Sequence, residues 1–155
     1  MQIAFESPDA PEIRQLIAAL DAYQRALYPP ESVHLLDIAA LLRPEVRFAV
    51  AREAPGAPAL GCGAVVLRAD HGEIKRMYVH PSQRGRGLGA LLMDALEAEA
   101  FARGCRLLRL ETGPLQPAAL ALYARHGYRT RGPFGDYRPD PLSVFMEKSL
   151  PVAAA

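Results

Sequence analysis

A loop rich in glycine and arginine stands between an apolar strand pattern and an apolar helix pattern. It reads RGRGLG, from Arg84 to Gly89. β-Branched and aromatic residues before it, at 74–79, indicate a strand, and leucines spaced by about 3.6 residues after it indicate a helix. The first turn of a helix presents unpaired N–H groups at the positive end of its dipole, and glycines let a ligand approach the backbone closely. With two arginines as charged donors, this stretch predicts a site for a phosphate-bearing cofactor.

The glycine spacing narrows the kind of phosphate site. No Gly-Lys-Ser/Thr follows the glycines, which argues against the loop of nucleoside-triphosphate-binding proteins. Gly85, Gly87 and Gly89 alternate, whereas the dinucleotide fingerprint is G-x-G-x-x-G. Neither of the two common nucleotide motifs therefore accounts for this loop.

The bulk composition is ordinary for a globular protein. The chain has 155 residues, of which 50% are hydrophobic and 23% charged, and its formal net charge is +1. This length predicts a single domain over residues 1–150, followed by a frayed tail at 151–155. The near-neutral balance argues against nucleic-acid binding. No apolar run approaches the roughly 20 residues that span a bilayer, and no signal peptide is recognised, so we expect a cytoplasmic protein without a membrane partner.

The two cysteines, Cys62 and Cys105, each lie in an apolar run. We expect both to be buried free thiols and not a disulfide or a metal pair, and we predict no metal site. Neither lies in an electropositive loop that would activate it, so the sequence argues against a covalent acyl-enzyme route.

Hydrophobic periodicity and chain breakers predict the order of the elements. Strands are expected at residues 2–6, 46–52, 59–68, 74–79, 106–111, 128–131 and 142–148. Helices are expected from Pro11 to Tyr28, from Glu31 or Ser32 to Pro44, from Gly87 to Gly104, and from Gln116 to Gly127. A crossover helix follows the strand at 74–79, so the strand at 106–111 should lie parallel to it, whereas short turns favour an antiparallel meander before it.

Four motifs in this order resemble the GNAT family, the GCN5-related N-acetyltransferases. They are Met77-Tyr78-Val79 with Pro81, Arg84-x-x-Gly87-x-Gly89, Leu110-Glu111, and Ala121-Leu122-Tyr123 followed by Gly127-Tyr128. The resemblance covers nearly the whole chain. It implies an α+β fold with a mixed, mostly antiparallel sheet of six to seven strands, a splayed parallel pair in its middle, and about four flanking helices.

Shorter stretches at 29–32, 71–75, 110–113 and 134–137 resemble a bacterial subgroup often labelled indole-3-acetic acid acetyltransferases. Indole-3-acetic acid offers no ordinary amine to acetylate. We therefore take the subgroup as support for the fold and the cofactor only.

The resemblance implies acetyl-coenzyme A (acetyl-CoA) as the cofactor. Its pyrophosphate would be held by the loop residues Arg84, Gly85, Arg86, Gly87, Leu88, Gly89 and Ala90. Its pantetheine arm would pair with the main chain of Met77, Tyr78 and Val79. The family often has asparagine at the position of Gln116, reaching the pantetheine amide; glutamine followed by proline leaves that contact open.

The resemblance also implies catalytic residues. Tyr123 matches a helix tyrosine that points at the coenzyme sulfur and would act as the acid, although by spacing alone it could simply pack its helix onto the sheet. Glu73 and Glu111 match the bases of two branches of the family and compete for that role, with Glu73 ranked slightly ahead. Either could instead be a solvated strand-end charge or a partner of the nearby arginines Arg76, Arg106 and Arg109.

The histidines His71, His80 and His126 are expected to be turn or surface residues.

The resemblance further implies that the substrate side is formed by the segment between the first two helices and by the loop before the last strand. The candidates are Tyr28, Glu31, His34, Phe134, Asp136, Tyr137 and Arg138. The second segment mixes aromatic, acidic and basic residues and could hold a small amine that also carries an acid, or it could be an ordinary proline-rich loop.

Three functions remain open at this point. The first is an N-acetyltransferase acting on a small-molecule amine or an exposed protein amine by direct attack in a ternary complex. The second is a coenzyme-binding sensor without turnover, and the third, weakened by the neutral charge, is a nucleotide binder using Arg84 and Arg86. A homodimer is possible, as in many relatives.

Overall fold

The computed structural model of the chain describes residues 1–151 and contains one seven-stranded sheet with helices on both faces. The strands are β1 Gln2–Phe5, β2 Val46–Arg52, β3 Ala59–Leu67, β4 Gly72–Val79, β5 Leu107–Thr112, β6 Arg129–Arg131 and β7 Val144–Ser149. The helices are α1 Pro11–Leu27, α2 Ile38–Leu41, α3 Leu88–Ala102 and α4 Pro117–Arg125. Within the described residues, no helix is long and apolar enough to cross a membrane. The predicted tail lies outside these residues except for Pro151.

The strand order is β1-β2-β3-β4-β5-β7-β6, and each neighbouring pair is antiparallel except β4 and β5. α3 provides the crossover that a parallel pair requires. The predicted α+β fold is therefore confirmed: a mixed, mostly antiparallel sheet with one central parallel pair and four helices.

The parallel pair separates after three residues. The ladder joins Gly72–Ile74 to 108–110, and beyond Ile74 the two strands diverge. At the same point the register of β4 against β3 shifts, so that Arg76 and Met77 lie opposite the single residue Gly63. Such a bulge bends the strand and increases its twist, which opens the gap between β4 and β5.

The bulge is held in place by the side chain of Arg76. This residue has φ of 60°, in the left-handed region that few residues other than glycine adopt. Its guanidinium is buried, forms an ion pair with Asp21 of α1, and donates from Nε to the carbonyl oxygen of Leu36 at 2.9 Å. Tertiary contacts therefore offset the local strain.

Each face of the sheet carries its own apolar core. α3 packs on one face with five buried side chains, Leu88, Leu92, Met93, Leu96 and Ala100. α1 packs on the other face with Ile13, Leu16, Ile17 and Leu20. Fully burying one such large aliphatic side chain stabilises the fold by roughly 1.5–3 kcal/mol. β4 contributes to both cores, with Ile74 on the α3 side and Tyr78 on the α1 side, whereas β5 contributes Leu108 and Leu110 to the α3 side.

The predicted second helix, from Glu31 or Ser32 to Pro44, is wrong over most of its length. Pro30–Ser32 forms a single 3-10 turn, the chain then runs extended, and only Ile38–Leu41 is α-helical. Asp37 caps this short helix by accepting from Ala40 N–H at 2.8 Å. The carbonyl oxygen of Leu36 is taken by Arg76, and Leu36 lines a cavity, so tertiary contacts override the helical spacing of the leucines.

Two smaller expectations also need correction. Cys62 is buried as predicted, but Cys105 is only partly buried, and both are free thiols. His71 lies in the turn between β3 and β4, one of its two expected places, but it is not on the surface: it is 8% exposed, and its ring packs edge-on against Phe134 with 5.8 Å between ring centroids. His71 Nδ1 is 2.8 Å from Asp70 Oδ1, an exposed turn carboxylate. Over residues 1–151, no cluster of His, Cys, Asp and Glu could hold a metal ion.

Candidate active site

Three connected cavities open around the gap between β4 and β5. The loop groove, about 460 Å³, lies between the glycine loop and α4. The central cavity, about 90 Å³, lies in the gap itself, and the outer groove, about 750 Å³, lies between the start of β4 and the segment 134–140. Tyr123, Met77 and Gln116 line both the loop groove and the central cavity. His34 and Lys75 line both the central cavity and the outer groove, so the three cavities are neighbours that share lining residues.

The glycine loop presents its backbone to the loop groove. Gly85 and Gly87 have φ of 81° and 78°, which side chains with a Cβ rarely adopt. The first backbone bond of α3 runs from Leu91 N–H to Gly87 O at 3.1 Å, so the N–H groups of Leu88, Gly89 and Ala90 have no partner inside the helix. These donors and the helix dipole make the groove suited to an anion such as a pyrophosphate.

The two arginines of the loop lie in different places. Arg84 lines the loop groove, donates from Nε to the carbonyl oxygen of Val79 at 3.3 Å, and places its guanidinium 5.5 Å from the ring centroid of Tyr23. Arg86 does not line it: its guanidinium forms an ion pair with Glu53 at 2.5 Å. The structure thus brings only Arg84 to the groove.

The sequence interpretation missed several residues on this groove, and two of them are Tyr23 of α1 and Arg125 of α4. Arg125 lies one helical turn beyond Leu122, which also lines the groove, so its spacing on the helix could have indicated it. Tyr23 gave no such signal, because only the fold brings α1 to the loop.

The expected strand residues do reach the loop groove. Met77, Tyr78 and Val79 all line it. Because the ladder with β5 stops at Ile74, the main-chain groups of β4 beyond this point face the gap without a neighbouring strand. An extended chain that carries amides could pair with them as an added strand would.

Gln116 lies at the N-terminal end of α4, just before Pro117, and is held by Tyr28. The Tyr28 hydroxyl donates to Gln116 Oε1 and accepts from Leu115 N–H, both at 3.2 Å. A Cβ on Gly113 would lie 1.8 Å from this hydroxyl, so glycine is needed there. Tyr28 is therefore in the wall of the central cavity and not in the outer groove with the other expected substrate residues.

Glu111 is the partly buried carboxylate of the central cavity. Burial raises its pKa from 4.5 to about 7, against the opposing effects of the Ser143 hydroxyl and the Lys75 ammonium. At neutral pH this group can both accept and release a proton, which is the property of a general base.

Glu73 has a different environment. It is 3% exposed, and its carboxylate accepts from the Tyr137 hydroxyl at 2.6 Å and pairs with Arg68 at 3.2 Å and Lys75 at 3.5 Å. It is therefore neither a solvated charge nor a partner of the three arginines that the sequence suggested.

Those arginines are engaged elsewhere. Arg76 pairs with Asp21, and Arg109 pairs with Glu147 at 3.2 Å. Arg106 donates to the carbonyl oxygens of Phe101 and Cys105, both at 3.1 Å. The pairings of Arg76 and Arg109 depend on which elements the fold brings together, so no sequence signal distinguishes them from the expected ones.

Tyr123 stands between the central cavity and the loop groove. It is 6% exposed, and its ring also packs against Tyr128, with 6.1 Å between centroids. Burial raises its pKa, and the nearby Glu111 charge adds to the rise, so the hydroxyl keeps its proton at neutral pH. The Tyr123 hydroxyl can therefore donate a hydrogen bond or a proton to a group that enters from the loop groove.

The remaining substrate candidates meet in the outer groove. Its lining includes Glu31, His34, Phe134, Asp136, Tyr137 and Arg138. Phe134 is buried, and its ring lies 5.1 Å from that of Tyr137, whose ring is also 5.1 Å from that of His34. Burial lowers the pKa of His34, so this side chain is neutral near pH 7. Arg68, Lys75 and His71 also line this groove and were not expected there.

The raised pKa of Glu111 should be measurable as a pH-dependent stability. A carboxyl whose pKa is higher in the folded than in the unfolded state costs stability as the pH rises from 4.5 towards 7. Glu111→Gln should therefore raise the free energy of unfolding by up to about 3 kcal/mol near pH 8. Near pH 4 it should change little, because the native carboxyl is already protonated. Denaturant unfolding at both pH values measures this; an equal change at both would contradict the pKa.

Comparison with known proteins agrees with this geometry. The sequence profile of the acetyltransferase (GNAT) family matches residues 13–128. A protein of Azospirillum brasilense named IAA acetyltransferase is 49% identical over 150 residues, covering 96% of this chain and 97% of that protein.

Solved structures show the same fold. A crystal structure from Klebsiella pneumoniae, described as that of an inferred acyl-CoA N-acyltransferase, is 48% identical with a TM-score of 0.82 over 96% of this chain and 97% of that one. An aminoglycoside 6'-N-acetyltransferase complexed with coenzyme A matches over 100% of both chains with a TM-score of 0.75 and 17% identity, which concerns the fold alone. The chain therefore belongs to the GNAT family and is an N-acetyltransferase whose co-substrate is acetyl-CoA.

Proposed function

We propose that the protein transfers the acetyl group of acetyl-CoA to a primary amine of a small molecule, by direct attack in a ternary complex. One observation carries this proposal: a carboxyl with a pKa near 7, Glu111, and a protonated tyrosine, Tyr123, line the same central cavity between two grooves. The loop groove would hold the coenzyme, and the outer groove would hold the amine.

The residues of the loop groove fit the coenzyme. The unpaired N–H groups of Leu88, Gly89 and Ala90 and the guanidinium of Arg84 suit its pyrophosphate. The unpaired main chain of β4 beyond Ile74 suits its amide-bearing arm. Tyr28 engages Gln116 Oε1, which leaves the Nε2 donors of this amide for the ligand. When bound, acetyl-CoA supplies a thioester whose carbonyl carbon is the electrophile and whose sulfur leaves.

Glu111 is our choice for the base, in place of Glu73, which the family resemblance had ranked slightly ahead. An amine enters as an ammonium ion, and Glu111 takes its proton so that the nitrogen lone pair becomes available. The pKa of about 7 supports this role. Glu73 is held by Arg68, Lys75 and Tyr137, and these three contacts support a role in positioning.

Tyr123 is our choice for the acid. Its position between the loop groove and the central cavity supports this role. As the C–N bond forms and the C–S bond breaks, the hydroxyl would give its proton to the departing sulfur and take back the second proton that the nitrogen loses. A cysteine nucleophile is not needed, and burial raises the pKa of Cys62 to about 12, which suits an inert thiol.

The alternative function is a coenzyme-binding sensor without turnover. We would screen amines of several classes (amino acids, polyamines, aromatic amines and lysine-containing peptides) with acetyl-CoA, and read thiol release. Release with a small amine is expected, and release only with peptides would replace the small molecule by a protein amine. Tight acetyl-CoA binding without release for any class would favour the sensor.

Tyr123→Phe should lower kcat by about 10²-fold and change the KM for acetyl-CoA little, because the lost proton donor acts in the transition state. Tyr128→Phe is the matched control: its hydroxyl donates to Glu97 at 2.9 Å, and it lines none of the three cavities. This control should keep kcat. If Tyr123→Phe also kept kcat, the tyrosine would be a packing residue.

A further inference from the structure

We infer that the acceptor is an amine that also carries a carboxylate, and that Lys75, assisted by Arg68, binds this carboxylate in the outer groove. The inference rests on the proposed acetyl transfer and adds the chemical class of the acceptor. It depends on how charge is distributed between the central cavity and the outer groove.

Lys75 stands at the boundary of these two cavities. Its side chain is 12% exposed, and it lines both of them. Its ammonium donates to the Tyr137 hydroxyl at 2.7 Å and to the carbonyl oxygen of His34 at 3.3 Å. A cation held in a fixed position away from water is a stronger anion ligand than a mobile surface lysine.

Lys75 is the least exposed of the three lysine and arginine side chains that line the outer groove. Glu73 is the single buried carboxylate near Lys75, and it is shared between Lys75 at 3.5 Å and Arg68 at 3.2 Å. Arg68 is exposed, so water and salt screen its charge, whereas the ammonium of Lys75 is largely shielded from them. His34 adds no charge near neutral pH, because burial lowers its pKa.

The other charged side chains of the outer groove are held by hydrogen bonds or are exposed. Asp140 accepts from Ser32 Oγ–H at 2.6 Å and from Leu142 N–H at 2.8 Å, so it is occupied at the rim. Glu31, Asp136 and the cation Arg138 are exposed, where water and salt screen their charges.

Negative charge lies in the central cavity, on the inner side of Lys75. Glu73 pairs with Arg109 in the parallel ladder, and the residues two positions further on, Lys75 and Glu111, lie on the same face of the sheet. They face each other across the splayed gap, and both line the central cavity. An amine at Glu111 therefore has a cation next to it on the outer side. An amino-acid-like molecule, with its amine inward and its carboxylate outward, matches this order of charges.

The experiment compares acceptors that differ only in the acid group. Phenylalanine, its carboxamide and phenethylamine form one such series, and further series should be built on any amine that the screen identifies. The amino acid should have a kcat/KM about tenfold to a hundredfold above that of the amine without the carboxylate, as expected for a charge-assisted hydrogen bond.

Variants of Lys75 then test its role as the ligand of the carboxylate. In Lys75→Met, kcat/KM for the acceptor with a carboxylate should fall close to that for the acceptor without one, mainly because the KM of the acid rises. Lys75→Arg should restore part of the difference. Lys148→Met is the matched control, because it also removes an ammonium paired with a glutamate, Glu97 at 2.8 Å, but lies outside the three cavities. It should keep the difference.

The failures are distinguishable. Equal turnover of acid and non-acid amines by the native protein would overturn the inference and leave acetyl transfer standing. An equal loss for both kinds of acceptor in Lys75→Met would also overturn it, since that is the effect of a purely structural lysine. Absence of thiol release with all amines would overturn the proposed function and the inference with it.

Discussion

Glu111→Gln should lower kcat/KM by about 10²- to 10⁴-fold, the range typical of removing a general base. Glutamine keeps the size of the side chain and cannot accept the ammonium proton. In the native protein kcat/KM should fall as the pH drops below about 7, because the carboxyl is then protonated. The residual activity of Glu111→Gln should not show this fall at acidic pH. Profiles of kcat/KM against pH for both proteins would measure the difference.

Glu73→Gln is the matched control for this prediction. Its carboxylate binds Arg68, Lys75 and the Tyr137 hydroxyl, so we expect its loss to affect acceptor binding more than the proton-transfer step. A larger fall of kcat in Glu73→Gln, with the acidic limb of the profile lost there and kept in Glu111→Gln, would transfer the role of base to Glu73.

Gly87→Glu should raise the KM for acetyl-CoA by about 10²-fold. Gly87 precedes α3 with φ of 78°, so any side chain costs roughly 1–2 kcal/mol of strain there. A carboxylate would also repel a phosphate at the free N–H groups of the helix. Gly87→Gln separates the two effects, because it introduces the same strain without the charge and should raise KM less.

The space around Gly87 makes the interpretation of this series direct. A Cβ built there meets nothing within 4 Å, so the substitutions do not force a clash with the core. An unchanged KM in Gly87→Glu would show that the loop does not hold the coenzyme phosphates.

The features that the sequence predicted correctly are those set by local patterns. Alternating strands, helical spacing and turn residues place the seven strands and α1, α3 and α4 within a few residues of their observed ends. The order of strand, glycine loop and helix is also as predicted, and its glycines with positive φ and unpaired N–H groups follow from the local chain, whereas the binding of an anion there stays a prediction.

What the sequence did not predict depends on contacts between distant segments. Arg76 binds Asp21 and Leu36, which stabilises the bulge of β4 and prevents the second helix from extending. Arg86 turns to Glu53, which is remote in the sequence.

The two glutamates were also indistinguishable by spacing. Only their neighbours separate them: Glu73 lies among two cations and a tyrosine, whereas Glu111 is desolvated in the cavity. Lys75 was read only as part of a strand, and it became a candidate ligand because the fold places it between two cavities.

The central claim is direct transfer of an acetyl group from acetyl-CoA to an amine across the central cavity. A single-turnover measurement tests it most directly: excess protein is loaded with acetyl-labelled acetyl-CoA and mixed with the best amine from the screen. We expect the label to pass into the N-acetylated amine at the rate at which free thiol forms, with none on the protein at any time. Label that stays in acetyl-CoA, or that accumulates on the protein before product forms, would contradict the account.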